Sequence, residues 1–379
     1  MGLLVGIIIG LFILVFLVVV HELGHAVIAR RNGVVVKEFG IGMPPRAWKK
    51  KLKNGVLLTL NWLPLGGFVS LKGEYDAADK PGDYGAATFW QKTRILFAGV
   101  VANWIVAVVL LSILALTGLP KVLPDQFTVA GDTTIINQPV MVAGLTAGHA
   151  AEKAGIKTGD TIISFAGQQV LTADRMIELS GQNKGTTVEV VYNRAGVEKT
   201  IQVTLGTGEN GGYFGASLGQ RDLIKSTWSA PIVGVATTAQ FTWLTLSSLG
   251  GMLGNLVNGL VAQFNPDSAV RQQASADLQS VSDGVSGPIG ILGTIFPAAQ
   301  QAGVTQLVFL TAIISLSLAV MNILPIPALD GGRWFTIVAF KLFKKKLTKE
   351  REQKIQTVGF SLLMGLTLLV TIADVAKLF

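Results

Sequence analysis

Four runs in this chain are long and apolar enough to cross a hydrocarbon core of about 30 Å, which takes about 20 residues. Residues 2–20 and 95–117 carry no charge, residues 304–329 are uncharged and rich in Leu, Ile and Ala, and residues 355–373 complete the set. A backbone in lipid must pair its own polar groups, so these runs predict helices. Composition agrees. Half of the 379 residues are hydrophobic and 14% are charged, against roughly 25% charged in soluble proteins. That excludes a soluble globular enzyme, a disordered chain and a small secreted module. With no Cys, a disulfide framework, thiolate-held zinc and thiol catalysis are excluded as well. The first run has no basic residue before it and is too long for a secretory signal peptide.

Charge orients the spans. Eleven Lys/Arg face five acids between residues 26 and 92, and seven bases face two acids between 341 and 354. Residues 121–199 are balanced, with seven bases and eight acids. Basic loops stay cytoplasmic, so four spans with both termini outside are expected. Residues 227–266 are uncharged but studded with Ser, Thr, Gln, Asn and Gly. One extra crossing there would carry Lys344, Lys345 and Lys346 to the outer side. Leu249, Leu253, Leu256, Val257, Leu260 and Phe264 recur at helical spacing, which predicts an amphipathic helix lying on the outer interface.

Residues 124–205 change character. Short strand patterns at 140–142, 161–165, 188–192 and 200–205 flank helical stretches near 150–154 and 172–179. The run from Ala154 to Ile162 resembles the helix-turn-strand signature of bacterial PDZ domains, which bind extended peptides by strand addition. A plain folded spacer is the competing reading, because fold does not establish function. Residues 206–212 read as a linker. The organisation expected is a membrane core over 1–120, a PDZ-like domain over 121–206, a linker with the interfacial helix over 207–301, and a second membrane core over 302–379.

Near the inner end of the first span stands His21-Glu22-Leu23-Gly24-His25. On a helix, residues four apart share a face, so both imidazoles can reach one metal ion. Glu22 sits beside them, where it can take a proton from water. Arg30-Arg31 marks the interface, which places His21 about 13 Å inside it at 1.5 Å per residue. Two His and a Glu at that depth need partners; a structural pair joining helices is the competing reading. Zinc needs a third protein ligand. His149, the remaining histidine, reads as the start of a helix in the outer domain. Asp330 is the better choice. It follows Met321-Asn322-Ile323-Leu324-Pro325-Ile326-Pro327-Ala328-Leu329 and precedes Gly331-Gly332-Arg333. The prolines break the third span, and spans one and three both run inward, so Asp330 ends at the depth of His21 and His25. Alternatively, Asp330 is a loop acid paired with Arg333.

His-Glu-Leu-Gly-His on the first span with Asn322 to Gly332 on the third resembles the site-2 protease family of intramembrane zinc metalloproteases. The PDZ-like insertion and the span layout resemble the bacterial regulator of sigma-E protease group. The resemblance implies Zn2+ on His21, His25 and Asp330, with Glu22 as catalytic base. It implies that Asn322, with Pro325, holds substrate near the metal. Residues 97–103 match the second-span Gly-Pro-x-x-Asn pattern, except that Val100 replaces Pro and leaves the local helix geometry open. Residues 55–73 read as an apolar hairpin turning at 64–67. In the family the matching segment dips into the membrane and receives substrate on an edge strand, which implicates Gly66, Gly67 and Phe68. The fold class expected is a polytopic α-helical membrane protein of four transmembrane helices, with an inserted α+β PDZ-like domain and a membrane-associated β-hairpin. The activity implied is hydrolysis within transmembrane segments of single-span proteins such as anti-sigma factors or remnant signal peptides. It is implied at a bacterial plasma membrane, with the site near the cytoplasmic leaflet and the PDZ-like domain outside. Partners expected are transmembrane substrates, membrane lipid and a peptide on the PDZ-like domain, with no nucleic acid, since the basic residues are juxtamembrane. The alternatives are a catalytically silent PDZ scaffold, which would hold no zinc, and a metal transporter, which would need several polar sites along a path where the other spans offer mainly Asn103. Residues 264–284 carry no role.

Overall fold

The computed structural model describes residues 2–194, 196–208, 212–220, 222–263, 267–283 and 287–376. Phe264 and Gly284, which belong to the helix and the unassigned stretch expected above, lie outside the described residues. The chain divides into two compact units, one of residues 1–113 with 234–379 and one of residues 114–233.

The first unit opens with α1 (Gly2–Arg31), β1 (Val36–Lys51), β2 (Leu57–Leu71) and α2 (Phe89–Thr117). Small residues let the helices approach closely, as association in lipid requires. A Cβ on Gly24 of α1 would sit 2.5 Å from the Ala98 carbonyl oxygen of α2. Val100 leaves α2 unbroken through Asn103. That is the expected result of removing a proline that would clash with the preceding turn. β1 and β2 are each bent. Gly40 pairs with both Phe68 and Thr59, and Phe39 with both Val69 and Leu58. Residues 36–41 therefore lie between 57–60 and 67–71, which do not pair directly with each other across the 64–67 turn. The hairpin partner of 57–61 is 46–51, the segment whose lysines read as a loop. Leu60, Trp62, Leu63, Met43 and Trp48 are exposed on this sheet, as a surface that meets lipid would be.

The second unit holds β3 (Leu119–Pro120), β4 (Thr134–Ile136), β5 (Val140–Leu145), α3 (Ala150–Lys153), β6 (Thr161–Phe165), β7 (Gln168–Gln169), α4 (Ala173–Gln182), β8 (Thr187–Arg194), β9 (Val197–Thr204), β10 (Ala216–Gly219) and β11 (Leu223–Lys225). One sheet runs β10-β5-β6-β8-β9, with β7 on β6, and β3-β11-β4 form another. Ile162, Phe165, Met176, Leu179 and Val190 are fully buried between sheet and helix. Thr172 caps α4 by accepting from the Arg175 N–H at 3.1 Å. The fold continues past residue 206: Phe214 joins the core and β10 pairs with β5. His149 precedes α3 at its cap.

Inside this unit Arg194 grips the buried Asp160, with Nε to Oδ1 at 2.7 Å and Nη2 to Oδ2 at 2.6 Å. Burial works to raise the Asp160 carboxyl. Arg194 and the Lys157 backbone N–H outweigh that and hold it below the usual carboxylate range. Stability from this group is complete above the unfolded value of about 3.9 and is lost as pH falls through the lower folded one. Asp160→Asn should destabilise the unit at neutral pH by on the order of 2 kcal/mol and weaken its acid sensitivity. Amide exchange of β6 and β8 at pH 7 and at about pH 2.5, below the unfolded value, measures both effects.

The first unit resumes with α5 (Ala230–Ala262), α6 (Ser268–Asp283), α7 (Pro288–Gly290), a π turn over Ile291–Ile295, α8 (Phe296–Gln301), α9 (Val304–Ile323), α10 (Asp330–Leu342) and α11 (Lys349–Ala376). Among the described residues α1, α2, α5, α9 and α11 are long and apolar enough to cross a membrane, one more than the four expected. α5 runs antiparallel along α2: Gly234 lies against Ser112, and Trp104 Nε1 donates to Thr242 Oγ1 at 3.2 Å. α8 packs on the early turns of α1, where a Cβ on Gly10 would meet the buried Phe296 ring at 2.6 Å. α9 stops at Ile323, six residues before the run that predicted it, because Leu324 turns extended ahead of Pro325.

Candidate metal centre

α1 presents His21 and His25 on one buried face, with ring centroids 4.8 Å apart. Asp330 does not end a span; it opens α10. Gly331 and Gly332 are both buried, and a Cβ on either would overlap the carbonyl groups of Ile323, Leu324 or Ile326. Only glycine lets the start of α10 tuck under the 323–327 turn. Ala328, at φ 78°, gives its N–H to Gln356 Oε1 of α11 at 2.7 Å.

This brings three donor atoms together from α1 and α10. His21 Nε2 and His25 Nε2 are 3.1 Å apart, and Asp330 Oδ2 lies 3.1 Å from the first and 3.2 Å from the second. Donors at 2.0–2.1 Å from a tetrahedral zinc lie about 3.3 Å from one another, so the spacing suits that ion. The protonation pattern suits it too. His25 Nδ1 is 2.8 Å from the Ile95 carbonyl, which can only accept. The neutral ring therefore carries its proton on Nδ1 and turns a bare Nε2 inward, the orientation that metal-binding histidines receive from such a partner. The bare His25 Nε2 and the Asp330 carboxylate, converging with His21 Nε2 on one point, suit a bound cation. His21, His25 and Asp330 form the cluster able to hold a metal ion among the described residues.

Space at the centre depends on Gly99. A Cβ there would sit 2.5 Å from His25 Nε2 and 2.7 Å from His21 Nε2. The residue lies in the second-span motif, but only the fold shows what its missing side chain leaves room for. Glu22 is half-buried beside the cluster. A Cβ on Gly67 would lie 3.4 Å from the Glu22 Cγ. The β2 segment is thus laid against Glu22. Gly66, at φ 83°, faces Met43, and the half-buried Phe68 covers Gly40. Asn322 Nδ2 donates to the Leu318 carbonyl one turn back in α9 at 3.0 Å, and Pro325 is exposed.

Arg333 is not the partner of Asp330. It bonds Glu352 Oε1 of α11 at 3.2 Å, donates to the Glu74 carbonyl, and lies 4.5 Å from the centre of the buried Tyr84 ring. Glu352 Oε2 also accepts the Asp76 N–H at 2.8 Å, and Asp76 pairs with Lys92 of α2. This buried charge network fixes α10 one turn from Asp330. Removing one member of a buried pair costs about 3–5 kcal/mol. Arg333→Gln should therefore loosen metal binding by about 10- to 100-fold, with Arg333→Lys recovering part of it; zinc titration of the purified chain measures both.

The chain matches the model of peptidase family M50 over residues 9–366. It belongs to peptidase family M50, the site-2 protease family. A Clostridium perfringens protein whose name provisionally assigns zinc metalloprotease activity is 30% identical over 368 residues, covering 95% of each chain. The regulator of sigma-W protease RasP of Bacillus subtilis is 26% identical over 447 residues, covering 96% of each. A PDZ domain of the SdrC-like protein of Listeria monocytogenes aligns to 24% of this chain and 93% of its own, at 20% identity and a TM-score of 0.20. This M50 peptidase is a zinc-dependent protease of the membrane-protein class.

Proposed function

We propose that this M50 peptidase cuts peptide bonds within the membrane-spanning segments of single-span proteins. The observation that carries this reading is the convergence of His21, His25 and Asp330 beside Glu22, on a 30-residue apolar helix. Residues 21–25 lie well inside the basic end of that helix. In the reading, His21 Nε2, His25 Nε2 and Asp330 Oδ2 hold the zinc. Bound there, zinc lowers the pKa of a water molecule to about 7 and polarises a carbonyl oxygen. Glu22 takes a proton from the attacking water, the C–N bond breaks, and Glu22 returns the proton to the departing amine nitrogen.

A helical substrate hides its carbonyls in internal hydrogen bonds, so it has to unwind first. Residues 67–71 form an edge of the β sheet beside Glu22 and offer replacement bonds by strand addition. Gly66, Gly67 and Phe68 would seat that segment, and Asn322 with Pro325 would hold it from α9. Anti-sigma factors and remnant signal peptides are the substrates that fit. The PDZ-like domain lies outside a bacterial plasma membrane and admits substrates already shortened there, whether or not it also binds peptide. In this reading residues 1–120 and 302–379 make the membrane core, and the PDZ-like part, expected over 121–206, extends past 206 to take in Phe214 and β10.

Four crossings, by α1, α2, α9 and α11, fit the site. α1 and α9 must run in the same direction for Asp330 to meet both histidines. A single full crossing by α5 would reverse α9 and separate them. α5 therefore enters beside α2, and the chain returns through polar α6 and through α8 against α1. The test is a purified single-span substrate in detergent, with products mapped by mass spectrometry. Zinc-dependent cuts inside its apolar segment are expected; cuts confined to its soluble flanks would refute the reading.

A further inference from the structure

The end of α10 opposite Asp330 carries a second built feature. Lys341, Lys345, Lys346 and Lys349 line a cavity of about 650 Å³ between α10, the start of α11 and the start of α2. Its floor is apolar, made partly by Phe89 and Phe340. All four lysines are exposed, and none makes an ion pair among the described residues. Lys341 Nζ rests 4.3 Å from the Phe89 ring centre and Lys349 Nζ 5.1 Å from that of Tyr75. Two acids reach the cavity: Asp76 is taken by Lys92, and Glu350 stands at the rim in the first turn of α11. Beside the lysines, Leu342 and Phe343 are 74% and 70% exposed, and Trp90 is 69% exposed.

Basic residues that only set topology need no concavity and no apolar neighbours. Here unpaired ammonium groups surround a hollow wide enough for a headgroup. Large apolar side chains beside them belong in acyl chains. We infer that this cavity binds the phosphate headgroup of an anionic phospholipid from the leaflet at that end of α10. Exposed Leu342 and Phe343 favour a lipid over a soluble phosphate, because only a lipid also supplies something apolar for them to contact. Basic pockets between membrane helices recognise anionic headgroups in this way. The occupant would touch α10, whose other end supplies Asp330.

The full chain in detergent, titrated with phosphatidylglycerol, phosphatidylcholine or inorganic phosphate, tests this by native mass spectrometry. One saturable phosphatidylglycerol per chain is expected, held at least about tenfold more tightly than phosphatidylcholine. Lys341→Gln with Lys345→Gln and Lys346→Gln should weaken that site by on the order of 100-fold. The matching Arg triple should retain it. Lys49→Gln with Lys50→Gln and Lys51→Gln, on the open strand β1, should also retain it. Unchanged zinc content would establish that the variants are folded. Equal loss in both Gln triples would mean diffuse attraction and overturn the proposal. So would equal binding of phosphatidylcholine, or displacement of the lipid by an equal concentration of inorganic phosphate.

Discussion

Glu22→Gln is expected to slow peptide-bond hydrolysis by about 10²- to 10⁴-fold and to leave zinc content unchanged. Gln keeps the size and shape of Glu22. The β2 segment should therefore stay in place, and Gly67 should still abut residue 22. What Gln cannot do is accept the proton of water and return it to the leaving nitrogen, a service worth roughly 10²–10⁴ in rate. None of the three cluster atoms belongs to residue 22. Single-turnover cleavage of a model transmembrane substrate, run beside zinc analysis, separates the two effects. A variant that retained zinc and cut at the wild-type rate would remove Glu22 from the chemistry.

Gly99→Val should be nearly as damaging by a different route. The first added carbon would meet His25 Nε2 at 2.5 Å and His21 Cε1 at 2.6 Å, and β-branching removes most freedom to turn away. The imidazoles must shift, and a displacement of about 1 Å is enough to cost about 100-fold in rate. Zinc affinity and activity should fall together, whereas Glu22→Gln lowers only activity. Gly254→Ala in α5 is the control. No atom lies within 4 Å of its added carbon, so it should be neutral or slightly stabilising. Equal behaviour of the two variants in zinc titration would mean that the room left by Gly99 does not matter.

How much of this was legible beforehand depends on the range of the forces involved. The His-x-x-x-His spacing is local, and helical periodicity alone sets both rings on one face. Charge placement gave α1 and α9 a common direction, which was enough to bring Asp330 toward them across more than 300 residues. The strands at 161–165 and 188–192 were readable from alternation and turn residues. Partner choice was not. That 36–41 would insert between 57–60 and 67–71 depends on pairings of Gly40 with both Thr59 and Phe68, and alternation does not say which strand a strand meets. The Ile95 carbonyl that sets the His25 tautomer is backbone, so no side-chain pattern announces it. The competing pairing of Asp330 with Arg333 rests only on their closeness in sequence, and span direction argues against it. The α10 helix instead turns Arg333 toward Glu352 and Tyr84. The interfacial reading of α5 rests on Leu249 to Phe264; ahead of those residues, Gly234 and Thr242 pack along α2, which scattered polar residues do not announce.

The account stands on one metal ion held between α1 and α10. Zinc content and zinc X-ray absorption of the detergent-purified full chain, wild type beside Asp330→Ala, test it most directly. One zinc per chain is expected for the wild type, with nitrogen and oxygen donors, and Asp330→Ala should lose at least about 100-fold in affinity. Stoichiometric zinc bound equally well by Asp330→Ala, or no zinc on the wild type, would contradict it.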